Sequence, residues 1–135
     1  MFPQNNIVLI GNSVVEQSKS IAHLKKRVIN IDSYNDEDLI GEAYKNPNPY
    51  GLVNDDVLSI LKDLNLKKSE TLIIVSSDYE RGKNFHKELQ SYGKIIGNSS
   101  KTIKNLQDQK SLILKLQRNN IKTPEIFSDI KGIYK

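Results

Sequence analysis

The chain has 135 residues, about one domain of polypeptide, and is long enough to bury a core without covalent staples. It contains no cysteine, which excludes disulfides, thiolate metal sites and thiol nucleophiles. Its net charge of +4 is uneven: residues 1–61 hold 5 Lys/Arg against 8 Asp/Glu, and residues 62–135 hold 15 against 8.

Asn6 to Ile10 is a short, β-branched apolar run that ends at Gly11 and reads as a buried strand. Asn12-Ser13 is a capping pair. Val14, Val15, Ser18, Ile21, Ala22 and Leu24 recur at near-helical spacing, so the pattern predicts a helix over 13–25. Arg27 to Asp32 is a second strand. Ser33 to Gly51 reads as irregular and contains the breaker cluster Asn46-Pro47-Asn48-Pro49-Tyr50-Gly51.

Asn54 or Asp55 caps the next helix. Val57, Leu58, Ile60, Leu61 and Leu64 form its apolar face, and Asn65 ends it. Thr71 to Ser76 is a strand, and its Leu72-Ile73-Ile74-Val75 equals Ile7-Val8-Leu9-Ile10 as the longest apolar run. No run approaches the roughly 18 apolar residues of a membrane span. The first residues lack the basic and apolar regions of a secretory signal, and a cytoplasmic location is the expectation. A helix is expected over Tyr79 to Tyr92, with Phe85 and Leu89 inward and Gly93 as its stop. Lys94-Ile95-Ile96 is a fourth strand, followed by Gly97-Asn98-Ser99. Ile103 and Leu106 mark a short helix. A last helix runs from Asp108 to Asn119 or Asn120 with Leu112, Ile113 and Leu116 inward, and Pro124 forbids its continuation.

Strands alternating with helices imply an α/β fold: an open, doubly wound, mostly parallel sheet of four to five strands, with helices on both faces. Ligands of such sheets bind at the carboxyl ends of the strands. Here those ends are Gly11-Asn12-Ser13, Asp32-Ser33-Tyr34, Ser76-Ser77-Asp78-Tyr79-Glu80 and Gly97-Asn98-Ser99, all glycine or polar apart from the tyrosines. At the first turn, Gly11 lets a ligand approach the backbone and the helix start offers N–H donors to an anion.

Dinucleotide binding is one alternative, because Asp32 stands 21 residues after Gly11, where an acid would hold a ribose. The three-glycine fingerprint is not complete, since Ser13 and Glu16 occupy its other positions. A phosphoryl receiver domain, expected to share this strand order, needs an acidic pair after strand one, where Asn12 and Ser13 stand. The clusters Asp36-Glu37-Asp38 and Asp55-Asp56 have no EF-hand spacing and read as loop and helix-start acids. His23 and His86 lack an i,i+4 partner for a metal and read as surface residues. No serine has a His and acid partnership, so no nucleophile is assigned. The basic second half reads as a solvated lysine-rich surface. Aromatic residues do not interleave with its cations, so nucleic acid is not an expected partner.

The last third carries a resemblance. Lys94-Ile95-Ile96-Gly97-Asn98-Ser99, then Asp108-Gln109-Lys110, then Asn120-Ile121-Lys122-Thr123-Pro124 is similar to the passage leading into the catalytic domains of ATP-grasp enzymes. There a strand and "GN(S/P)" precede a helix, a "DK" helix follows, and a "GIPxP" turn opens the ATP-binding region. Ile7 to Ser13 resembles the first strand and turn of the pre-ATP-grasp domain. Asp32 to Leu39 resembles the "DxFxDxDL" passage of the predicted ATP-dependent carboligase branch, and Ser77 to Glu80 its "GxGFE" turn. Three departures stand out: one residue separates Asp108 from Lys110, the late turn has no glycine, and Ser76 and Asp78 replace glycines.

The resemblance implies a pre-ATP-grasp, Rossmann-like domain over 1–107. A helix and linker over 108–135 would lead towards an ATP-grasp catalytic domain. It implies the N-terminal part of a carboxylate–amine (or thiol) ligase that uses ATP and magnesium when full length and is inactive as this piece. The implied substrate contacts, for a small carboxylate or amine, are Gly11, Asn12, Ser13, Asp32, Asp78, Tyr79, Glu80, Gly97 and Asn98. Lys110 and Lys135 are the candidate cofactor contacts, and no metal ligand is assigned. A stand-alone ligand-binding or interaction module of the same fold is the other alternative, and a free sheet edge permits a homodimer.

Overall fold

Ile7, Val8, Leu9 and Ile10 form an unbroken apolar run because both faces of their strand are covered, as parallel sheets require. The structure is a computed structural model that describes residues 3–45, 54–76 and 84–124. Five strands lie in one sheet: β1 (Asn6–Gly11), β2 (Arg27–Asp32), β3 (Glu42–Lys45), β4 (Thr71–Val75) and β5 (Lys94–Ile96). Their order is β3-β2-β1-β4-β5 and every pairing is parallel. This is the dinucleotide-fold order rather than the 2-1-3-4-5 order of receiver domains, which sets the receiver alternative aside.

The helices are α1 (Val15–Ile21), α2 (Asn54–Asp63), α3 (Phe85–Leu89), α4 (Ser100–Gln107) and α5 (Gln109–Arg118). α1, α2 and α3 cover both faces. Val8, Ile10, Ile29, Ile31 and Ile73 meet Val57 and Leu61 of α2 and Phe85 and Leu89 of α3. On the opposite face Ile7, Leu9 and Val28 meet Val14, with Ile21, Leu24 and Leu39 packed against them. Alternation along each strand therefore selects the face, not burial against exposure. Among the described residues no helix is long and apolar enough to cross a membrane.

Several local expectations are corrected. Residues 42–45 are not irregular: β3 pairs with β2 from Ile29↔Glu42 to Asp32↔Lys45. The expected 13–25 helix is α1 followed by a 3-10 turn over Ala22–Leu24. The expected helix over Tyr79 to Tyr92 is helical at Phe85–Leu89, while 77–83 lie outside the described residues. His86 is not a surface residue. Its ring is buried beside Phe85 and near Leu89 on one short helix, and its Nε2 has no hydrogen-bond partner among the described residues. Gly93 acts by close approach, because a Cβ there would stand 2.8 Å from the Thr71 carbonyl oxygen of β4.

The chain divides into two compact units, Met1–Gly97 and Asn98–Lys135. The boundary read from the sequence, at 107/108, falls between α4 and α5. Within the second unit Ser99 caps α4 through its Oγ, which accepts the Thr102 N–H at 3.1 Å. Asp108 caps α5, accepting from the Ser111 N–H at 3.1 Å and its hydroxyl at 2.6 Å. Those bonds, the side-chain one foremost, hold the Asp108 carboxyl below its ordinary range. Leu112, Ile113 and Leu116 are half-buried rather than core residues, and Leu114 is exposed.

Candidate functional site at the strand exits

Parallel register aligns the carboxyl ends of three neighbouring strands. Gly11 of β1 pairs with Asp32 of β2, and Ile10 pairs with Val75 of β4. The chain leaves there through Asn12, Ser33 and Ser76. Backbone bonds continue the ladder, from Ser33 N–H to the Gly11 carbonyl at 3.2 Å and from Ser76 N–H to the Ile10 carbonyl at 2.8 Å. The order of successive strands reverses at β1, with β2 and β3 laid to one side and β4 and β5 to the other, which makes the exit between β1 and β4 the switch point of the sheet.

Asp32 organises this end. Its side chain is fully buried. Oδ2 accepts the Val14 N–H at 2.8 Å, and Oδ1 accepts the N–H groups of Tyr34 and Asn35, each at 2.8 Å. A buried carboxylate is tolerable when backbone donors converge on it in this way. Two expectations change as a result. The residue before α1, Val14, receives no side-chain cap from Asn12 or Ser13, and the acid that serves this turn comes from β2. The Val14 donor is also occupied by a negative charge, which disfavours an anion at the same turn.

Gly11 is buried, and its lack of a side chain is used internally. A Cβ there would overlap the Ser76 hydroxyl oxygen and stand 2.9 Å from Val14 Cγ1. The close approach read from the sequence is thus made by Ser76, a neighbour within the fold. Asn12 is half-buried and its Oδ1 accepts the Ser33 hydroxyl at 3.0 Å. Ser13 is exposed and donates to Asp36 Oδ2 at 3.1 Å.

The β2–β3 connection over 33–41 is fastened at several points. Ser18 Oγ accepts the Ile40 N–H at 3.1 Å, and Asn30 Nδ2 donates to the carbonyls of Ile40 at 3.0 Å and Glu42 at 3.2 Å. Lys19 pairs with Asp38 at 3.4 Å. On this held connection Tyr34 stands 70% exposed beside Asp32 and Ser33. Sequence reasoning assigned no role to Ser18 or Asn30. Their signal was present as a serine on the apolar stripe of α1 and an asparagine inside an apolar strand.

Asp78, Tyr79 and Glu80 lie outside the described residues, as does Lys135. Gly97 is exposed at φ +140° and ends the first unit, while Asn98 is exposed and opens the second. Lys110 is exposed on α5. Among the described residues no three His, Asp or Glu side chains gather as metal ligands. The described strand-exit groups are hydroxyls, an amide and backbone polar atoms beside acids. They suit binding and orientation of a small polar molecule.

No protein-family model matches the chain. No curated protein matches it either. Among solved structures it is similar to a "Biotin Carboxylase domain of single-chain bacterial carboxylase", with a TM-score of 0.67 and 14% identity. The likeness covers 94% of this chain and 32% of that one, so this chain spans about a third of its neighbour's length. The fold is thereby established as a Rossmann-like parallel α/β sheet of the kind found in that carboxylase.

Proposed function

We propose that the chain is the pre-ATP-grasp-type domain of an ATP-dependent ligase, binding and positioning a substrate for a catalytic region outside these residues. The observation that carries this reading is the fold likeness over 94% of the chain to a biotin carboxylase domain, since biotin carboxylases are ATP-grasp enzymes. It joins the ordered passages Gly97-Asn98-Ser99, Asp108-Gln109-Lys110 and Asn120 to Pro124. Placement in the carboligase branch rests on the passages at Asp32–Leu39 and Ser77–Glu80 alone.

On this reading the reaction joins a carboxylate to an amine or thiol through an acyl phosphate. ATP and magnesium would be held by the catalytic region, with Lys110 and Lys135 at its approach. Asn12, Ser13 and Gly97, with Asp78, Tyr79 and Glu80, would supply the substrate contacts, and Asp32 would hold the β1–α1 turn in place. The buried Asp32 charge and Asp36 favour an amine or hydroxyl over an anionic group at the β1–α1 turn. Nicotinamide dinucleotide binding fits less well, because both Asp32 oxygens already accept backbone N–H groups.

The test is to read the coding frame beyond Lys135 and assay the whole product. A frame continuing for about 200 residues, with ADP release that needs both a carboxylate and an amine or thiol, supports the ligase. A stop codon directly after Lys135, with no ATP-grasp partner chain co-purifying, overturns it in favour of a stand-alone module.

A further inference from the structure

The opposite end of the sheet carries a different charge. The chain enters β1 beside the turn before β4, because Asn5 N–H donates to the Glu70 carbonyl at 3.0 Å and Asn6 pairs with Thr71. Lys94 opens β5 in register with Leu72 of β4. Three separate segments therefore meet at the amino edge. They line an open groove of about 610 Å³ formed by Gln4, Lys67, Lys68, Ser69, Gly93 and Lys94.

We propose that this groove binds a small molecule carrying two or more adjacent negative charges, such as a diphosphate or polyphosphate group. Among the described residues that line it, three are exposed lysines and none is an acid. Glu70 lies nearby but is engaged, with Oε1 at 3.4 Å from Lys67 and Oε2 accepting from Asn5 at 3.4 Å. Lys68 and Lys94 have no ion pair among the described residues. Ammonium groups gathered on one concave surface repel each other, and a multiply charged anion relieves that repulsion. Gly93 lets the start of β5 pack directly on β4, because a Cβ there would stand 2.8 Å from the Thr71 carbonyl oxygen. Among the described residues no aromatic lines the groove to stack the bases of a single-stranded nucleic acid. The site stands at the other end of the strands from the ligase reading and does not depend on it.

The experiment titrates isotope-labelled chain with inorganic pyrophosphate in about 20 mM salt, where surface charges are least screened, and follows the amides by NMR. Saturable shifts at Ser69, Gly93 and Lys94 are expected. Lys68→Glu and Lys94→Glu should each weaken binding about tenfold, with the remaining spectrum showing an intact fold. Lys115→Glu on α5 should leave binding unchanged. Loss of binding in Lys115→Glu equal to that in Lys68→Glu would reduce the effect to net charge and overturn the site. Absence of saturable shifts at the groove would do the same. A single-stranded oligonucleotide that displaces pyrophosphate at equal phosphate concentration and binds more tightly would overturn the assignment to a small anion.

Discussion

The carboxylate of Asp32 accepts the backbone N–H of Val14 at 2.8 Å, so the side chain that ends β2 fixes the turn that ends β1. The same carboxylate holds the first two N–H groups of the β2–β3 connection that follow Ser33. Removing it strands three donors, and a buried unsatisfied polar group costs about 1–3 kcal/mol. Asp32→Ala is therefore expected to lower stability by on the order of 3 kcal/mol or more. Asp32→Asn should cost less, because the amide oxygen still accepts. Urea melts measure the loss, and amide exchange at Val14, Tyr34 and Asn35 locates it. Unchanged exchange at those amides would contradict the assigned role.

Gly11 and Ser76 form a second coupled pair. A methyl group at Gly11 overlaps the Ser76 hydroxyl and crowds Val14, so Gly11→Ala should destabilise by about 2 kcal/mol through overpacking. Ser76→Gly removes the nearer obstacle. The double variant should recover at least about 1 kcal/mol of the loss, a coupling energy typical of residues in contact. Simple additivity in a double-mutant cycle would show that the two positions do not share this space.

What could be read from the chain depended on where each residue's partner lies. β1 and β4 were legible because Ile7 to Ile10 and Leu72 to Val75 carry burial on both faces in their own composition. The exit ends were legible because the apolar runs of β1, β2, β4 and β5 each give way to glycine or a polar residue. β3 was not legible. Glu42-Ala43-Tyr44-Lys45 is an edge strand with three exposed residues, held by pairing to β2 and by the Asn30 amide. Residues 12–14 show the same limit. Asn12 and Ser13 look like caps, yet the acceptor for Val14 is 18 positions away. The inward phase of Phe85 and Leu89 was legible from their spacing, but the burial of His86 was not, because an ionisable side chain next to Lys87 and Glu88 reads as surface.

The turn after α5 supplies a third prediction. Asn120 has φ +58°, its N–H donates to the Gln117 carbonyl at 3.0 Å, and the Ile121 N–H reaches the Leu116 carbonyl at 3.0 Å. These two bonds make a Schellman stop in which Asn120 takes the left-handed position usually given to glycine. The glycine of the resembled turn is thus replaced by the residue that best tolerates that backbone. Asn120→Gly should be neutral or stabilising by a few tenths of a kcal/mol, and Asn120→Val should destabilise the end of α5 by about 1–2 kcal/mol. Exchange of the Ile121 amide is the readout. Equal protection in both variants would mean that the left-handed residue is not what stops the helix.

Arg27 and Glu42 give the sheet edge a pH dependence. Arg27 Nε and Nη2 donate to Glu42 Oε1 at 2.7 Å and Oε2 at 2.8 Å, and Tyr44 donates to Oε2 at 3.2 Å. The Arg27 hydrogen bonds, more than their charge, lower the Glu42 carboxyl from its ordinary 4.5. A carboxyl depressed in the folded state stabilises the fold above its unfolded value, and that contribution is lost as pH falls through the depressed value. Both side chains are 44% exposed, so solvent screening limits the effect to about 1 kcal/mol or less. Urea midpoints of the native chain and Glu42→Gln, measured from pH 7 down to pH 3, should therefore converge as the acid range below 4.5 is entered. High salt should narrow the gap at neutral pH. Two curves that stay parallel down to pH 3 would show that the bidentate pair does not stabilise the β2–β3 edge.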